Sequence, residues 1–346
     1  MASTVSSVSP PGLDPAVPAA FRRAELPPAR GLLSASILAA LRDRAPLSDR
    51  RESVEHADPW GDDLQLALLL CQELHYGTDL TGGVPDREWE PEIVAFRRAL
   101  EDRFLAAVDA ESGAQGAGSV DDEFDALLRS SGDDGTAEHL RTVGTPEQFA
   151  DYFAARSLYH LKEADPHAWV IPRLPPAAKA PFVAVEFDEY GGGRPARVHQ
   201  VLYANLLSAS GLDASYLGYL AAAPAAVLAP VTLMTALGLR GSRIGAAVGH
   251  FAATEVTSSP GSARLVEGLE RLGAPPEAIG FYREHVEADA VHEQVMRHEV
   301  VAGLLAVEPE TEADVVAGIR AFLLVEDRLE AAFRNAWNDG AFVMQR

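Results

Sequence analysis

The sequence predicts an all-α chain. Strand-like alternation is scarce, apolar residues recur at helical spacing in one segment after another, and many of those segments begin and end on recognisable caps or breakers. Residues 1–30 hold six prolines and no long apolar run, and so read as a disordered lead and not as a signal peptide. Residues 31–45 form a short helix stopped by Pro46, and residues 60–76 a stronger one ended by Gly77. Residues 89–110 place apolar side chains at helical spacing, and the small polar stretches 111–122 and 131–135 are the best linkers in the chain.

Thr145-Pro146-Glu147-Gln148 opens the next helix with an N-cap, a proline in the first turn and an acid at the positive end of the dipole. It is expected to run towards Pro166. Residues 181–190 alternate like a strand at Val183, Val185 and Phe187, but no partner strand is near. They are assigned to helix, ended by Gly191-Gly192-Gly193. Further helices are expected at about 195–210, 214–239 with breaks, 241–258, 261–272, 275–306 and 311–337. The result is an N-terminal helical region over 31–140 and a larger helical bundle over 146–340.

The 346 residues suit two domains, or one large one with an appendage, at roughly 150 residues per domain. A hydrophobic fraction of 47% is ample for a core. Asp and Glu number 51 against 29 Lys and Arg, a formal net charge of -22. That balance argues against nucleic acid and against an anionic membrane surface, both of which are bound through Lys and Arg. The single cysteine, Cys71, excludes an intramolecular disulfide and a cysteine-based zinc site. The uncharged run 214–239 is long enough for a bilayer, but Pro224, Pro230 and the lack of a flanking basic cluster favour buried, broken helices. A cytoplasmic protein without membrane contact is expected.

The chemistry is sought by spacing. On the helix over 275–306, His285, Asp289 and His292 are offset by four and seven residues, about +40° and about -20° of rotation, and so share one stripe. His298 falls on the other side. Two imidazoles and a carboxylate on one face suit a metal, because burial otherwise leaves each without a partner; the same spacing also suits an exposed polar face. A bundle that binds metal takes its other ligands from facing helices. The candidates are acids or histidines on otherwise apolar segments: Glu163 (placed on the helix with Leu158 and Leu161), Glu189, His199 and Glu255. His250 points elsewhere and is left as a packed or supporting residue. No histidine has Glu three positions before it, which excludes the Glu-x-x-His ligand pattern of ferritin-like bundles.

The order Glu163, Glu189, His199, Glu255, His285, Asp289, His292 resembles the heme-oxygenase-like diiron oxidases and oxygenases, the iron-containing redox enzyme family. The stretches HLKEADPHAW, EFDEYGGGRPARVHQ and HFAATEVTSS carry the resemblance over roughly 146–340. It implies a seven-helix heme-oxygenase-like bundle without heme, two iron ions held by these seven residues, O2 as co-substrate and an external electron donor. The family pattern would put Glu163, His199 and His292 on one iron and His285 and Asp289 on the other, with Glu255 bridging and Glu189 near the second. Glu189 resembles the additional carboxylate of the N-oxygenating branch, whose N-terminal helices dimerise. The expected activity is therefore N-oxygenation of an amine or amino acid by a homodimer. The alternatives are C–C cleavage or desaturation of an amino or fatty acid, and a metal-binding helical protein without turnover. Four carboxylates would balance two Fe(II) ions, and oxygen and imidazole donors without thiolate suit iron or manganese. The apolar 214–239 segment is expected to line the pocket, with Tyr190 and Arg194 as possible supports beside Glu189.

Overall fold

A computed structural model describes residues 25–47, 51–76, 86–114, 116, 118–130 and 135–344, and among these there is no strand. Most of the Pro-rich lead, Gly77 and most of the 131–135 linker lie outside them. The N-terminal helices are α1 (Leu32–Asp43), α2 (Arg51–Glu55), α3 (Asp62–Glu73), α4 (Pro91–Glu111), α5 (Val120–Ser130) and α6 (Thr136–Thr142). Helix α5 takes in the end of the expected 111–122 linker, because Ser119 and three acids supply a helix start there. Asp63 of α3 caps α1 from outside, accepting from the backbone amides of Leu33 and Ser34 at 2.9 and 2.7 Å and from Ser34 Oγ at 2.6 Å. Helix α3 is buried along almost its whole length.

The rest of the chain forms α7 (Pro146–His160), α8 (Asp165–Ala168), α9 (Pro176–Glu189), α10 (His199–Ala209), α11 (Ala225–Leu239), α12 (Ile244–Arg271), α13 (Pro276–Val295), a π-helical segment (Met296–Val301), α14 (Ala302–Val307) and α15 (Glu312–Asn338). Helix α7 begins on the expected N-cap, Thr145, which also forms a capping box with Gln148. It stops at His160, earlier than expected, because α8 makes a fresh start with Pro166 in its first turn. Residues 161–164 turn between them, and Ala164 sits at φ 72°, an unusual backbone for a residue with a side chain. Glu163 is thus on a turn and not, as expected, on a helix.

The two helices expected over 241–258 and 261–272 are one. Helix α12 runs through Pro260, because α6, α13 and α15 pack along it and outweigh the lost backbone hydrogen bond. Only the second half of the 214–239 run is a helix, α11, and it is buried from end to end. No single helix among the described residues is long and apolar enough to cross a membrane.

Helix α12 is central, flanked by α13 and α15, with α10 against α13 and α9 against the π segment. Helix α11 lies between α3 and α15. Its polar groups meet α3: Thr232 donates to Gln65 Oε1 at 2.6 Å, and Gln72 Nε2 donates to the Thr232 carbonyl at 3.0 Å. The α12–α15 crossing is close because Gly249 and Gly318 face backbone there: a methyl on Gly249 would strike the Val315 carbonyl, and one on Gly318 the Ala246 carbonyl.

Candidate metal centre

The seven expected residues come from five places in the fold. Glu163 stands on the 161–164 turn, Glu189 is the last residue of α9, His199 the first of α10, Glu255 lies mid-way along α12, and His285, Asp289 and His292 are on α13. Gly191, Gly192 and Gly193, all at positive φ, turn the chain between α9 and α10 and bring Glu189 and His199 side by side. All seven side chains are buried.

Their donor atoms fall into two groups, each within 4.8 Å. One contains Glu163, Glu189, His199 and His285; the other contains Glu189, Glu255, Asp289 and His292. Glu189 belongs to both. In the first group His199 Nδ1 lies 2.7 Å from Glu189 Oε2 and 4.0 Å from Glu163 Oε2, and His285 Nε2 lies 3.6 Å from Glu163 Oε2. In the second, His292 Nδ1 lies 3.2 Å from Glu255 Oε2, 3.4 Å from Glu189 Oε1 and 3.5 Å from Asp289 Oδ1. This grouping differs from the family-based partition. His292 groups with Asp289 and Glu255, His285 groups with Glu163 and His199, and the shared carboxylate is Glu189 in place of Glu255. The cause is the α13 stripe, which points His285 and His292 at opposite ends of the centre, two turns apart.

The donor set fits metal. Glu163 Oε2, His199 Nδ1, His285 Nε2 and Asp289 Oδ1 are buried and, despite the close approaches above, make no well-aligned hydrogen bond; each belongs to one of the two groups. Leaving buried polar atoms unpaired is costly, and cations placed among them would remove that cost. Protons partly fill this role in the metal-free chain. Burial and the neighbouring carboxylates Asp289 and Glu189 push Glu255 up to about 8. His292 is opposed by burial, but bonds to Asp289 and Glu255 hold its imidazolium up to about 11. His285, against the same burial, is raised well above the usual range by Asp289 and Glu163. Its Nδ1 faces the Phe281 carbonyl at 2.8 Å, which leaves Nε2 to face the centre.

Several supporting residues escaped sequence reasoning. His160 Nδ1 lies 2.9 Å from Glu163 Oε1 and steers that carboxylate. The spacing His160–Glu163 is the reverse of Glu-x-x-His, so the signal was there in the opposite order. Glu186, one turn before Glu189, is buried with neither oxygen partnered. Burial, then the charge of Glu189, raises it well above the usual carboxylate range. Asp188 Oδ2 lies 3.4 Å from His292 Nε2. Tyr190 instead donates to Asp165 at 2.9 Å, and Arg194 is exposed.

A cavity of about 530 Å³ reaches the centre at Glu163, His160 and His285. Tyr152, Tyr159, Phe281, Tyr282 and Phe322 supply aromatic wall, and the Arg156–Glu326 pair, bonded at 2.9 and 2.5 Å, a charged one. From the 214–239 segment only Pro230 and Met234 line it; most of the remainder of α11 is core. His250 also lines it, edge-on to Phe322 at 5.4 Å. Burial lowers the His250 imidazole to about 4. The unfolded chain takes up that proton near 6.5 and the folded chain does not, so stability present at neutral pH is lost as pH falls below 6.5. Between pH 7 and pH 5 this costs about 2 kcal/mol. Urea unfolding at the two pH values is expected to show the loss, reduced by that amount in His250→Gln; an unchanged difference would dismiss the assignment.

Fold and site together define an all-helical protein with a buried carboxylate–imidazole centre. The family model of iron-containing redox enzymes matches residues 150–327, just over half of the chain, and the chain belongs to that family. Its fold is the heme-oxygenase-like bundle and its class is iron-dependent oxidoreductase. Comparison with curated proteins gives no match.

Proposed function

We propose that this chain is an O2-dependent non-heme diiron oxygenase that N-oxygenates an amine or amino acid. The observation that carries the reading is the sharing of Glu189 between two four-residue donor groups, which suits two ions side by side. Glu163, His199 and His285 would hold one iron, Glu255, Asp289 and His292 the other, and Glu189 both. When bound, such a pair supplies electrons for O2 reduction and delivers oxygen to the substrate.

The chain's own residues do the rest. His160 and the Phe281 carbonyl orient Glu163 and His285. The cavity, with its aromatic and charged walls, brings a small molecule to the first group, since Glu163 and His285 line it and the second group does not. In the metal-free chain, burial and then the charge of Glu189 favour the neutral form of Glu186.

Anaerobic titration of metal-free protein with Fe(II), followed by O2 exposure, tests the reading. Two ions per chain and an absorbance change on exposure to O2 are expected. One ion or none would end the diiron assignment. Mass spectrometry of amine and amino-acid panels then separates hydroxylamine or nitro products from those of C–C cleavage or desaturation, the outcome that would move the chain to the oxidase reading.

A further inference from the structure

We propose that Glu73, on α3 of the N-terminal region, is a positioning residue for the metal centre, acting through Lys162 on the turn that carries Glu163. The inference rests on the diiron reading above. It starts from the turn itself. Residues 161–164 are the one non-helical ligand-bearing segment, and the turn closes on Ala164 at φ 72°. Such a backbone persists only where its surroundings over-determine it.

The surroundings are a buried ion pair. Lys162, the neighbour of Glu163, donates to Glu73 Oε1, and both side chains are at most 1% exposed. The other oxygen of Glu73 accepts from Tyr216 at 2.8 Å. The Lys162 ammonium lies 4.6 Å from the Tyr76 ring centroid and 5.8 Å from that of Tyr216. Tyr76 in turn donates to Thr235 of α11 at 2.9 Å. On the opposite side of the turn, Gln200 Nε2 donates to the Glu163 carbonyl at 3.0 Å and His160 holds the Glu163 carboxylate. The turn is therefore clamped at Lys162 by α3 and at Glu163 by α7 and α10.

Stability alone does not account for the pair, because well-packed apolar residues of the same volume generally serve a core as well as a buried ion pair does. What an apolar pair lacks is direction. A hydrogen-bonded ammonium fixes the rotation of the turn, and with it where the adjacent carboxylate points.

The test uses full-length, metal-free protein, titrated anaerobically with Fe(II) and melted in parallel. Two variants are compared with wild type: Glu73→Gln, and the apolar double variant Glu73→Leu with Lys162→Met. The double variant is expected to melt within a few degrees of wild type, and Glu73→Gln, which leaves the Lys162 ammonium buried without its carboxylate, several degrees lower but folded at the titration temperature. Each is expected to bind one ion normally and the other about 10- to 100-fold more weakly, turning a two-ion titration biphasic. A role in packing alone would not split the two sites. If either variant folds and binds both ions as tightly as wild type, the positioning role is overturned. If the double variant fails to fold, Glu73→Gln decides alone. If wild type itself binds fewer than two ions, the diiron reading falls first and takes this inference with it; two ions in wild type with unsplit variants removes the inference and leaves that reading standing.

Discussion

Glu189→Ala is expected to empty both halves of the centre at once. Every other candidate ligand belongs to one donor group, so its removal leaves the second group with four donors; only Glu189 belongs to both. Loss of a supporting residue beside a metal typically costs 10- to 100-fold in affinity, and loss of a shared ligand exceeds that at each position. Iron content after desalting should fall from two ions per chain to below about one, with turnover reduced by more than about 100-fold. Glu255→Ala is the control and should keep one ion, since Glu163, Glu189, His199 and His285 are untouched. Glu189 ends α9 and its side chain makes no bond to the helix backbone, so far-UV circular dichroism should be unchanged. Metal analysis showing that Glu189→Ala and Glu255→Ala lose the same single ion would remove the sharing.

Gly318→Ala and Gly249→Ala are expected to be the most damaging single-methyl changes in the fold. Helix propensity argues the other way: alanine in place of a helical glycine normally stabilises by up to about 1 kcal/mol. Here the added methyl would meet backbone carbonyls of the facing helix, Ala246 in one case and Val315 in the other, and backbone cannot swing aside as a side chain can. Overpacking of this kind costs typically 1–3 kcal/mol and outweighs propensity. A net loss of about 1–2 kcal/mol, or roughly 1–3 °C in Tm for a chain of this length, is expected for each. Gly280 is the internal control. It lies on α13 with open space where a methyl would go, so Gly280→Ala should stabilise slightly. Differential scanning calorimetry of the three variants checks the contrast, and equal melting of all three would show that the crossing tolerates separation. Helix α12 also carries Glu255, so iron binding in the second donor group should weaken with the first two variants.

Much of this candidate centre was legible because α13 carries three candidate ligands in one stripe, and helical rotation converts their spacing directly into a shared face. Glu255 and Glu189 stood out as acids on apolar segments, and the triple glycine marked the end of α9. What local reasoning could not see was set by distance in the chain. The turn at Glu163 depends on a fresh helix start at Pro166 and on Glu73, far earlier in the sequence. Pro260 reads as a breaker, yet helices on several sides keep α12 helical through it. The division of the candidate ligands between the two donor groups depends on which end of α13 faces which helix, and no spacing rule contains it. Glu186 looked like one more surface acid in a chain with 51 of them.

The polar seam between α3 and α11 bears on how such a protein can be inherited. Gln65, Gln72 and Tyr76 each find their partners on α11, at Thr232 and Thr235, and Asp62 accepts from the Ala225 amide at 2.6 Å. Removing the early helices would leave these groups without their partners and expose the most apolar helix to water. The unit that selection can copy, fuse or swap is therefore larger than the 150–327 stretch by which the family is recognised. Shuffling that stretch alone into a new context would transfer the seven candidate ligands without the scaffold on which they depend.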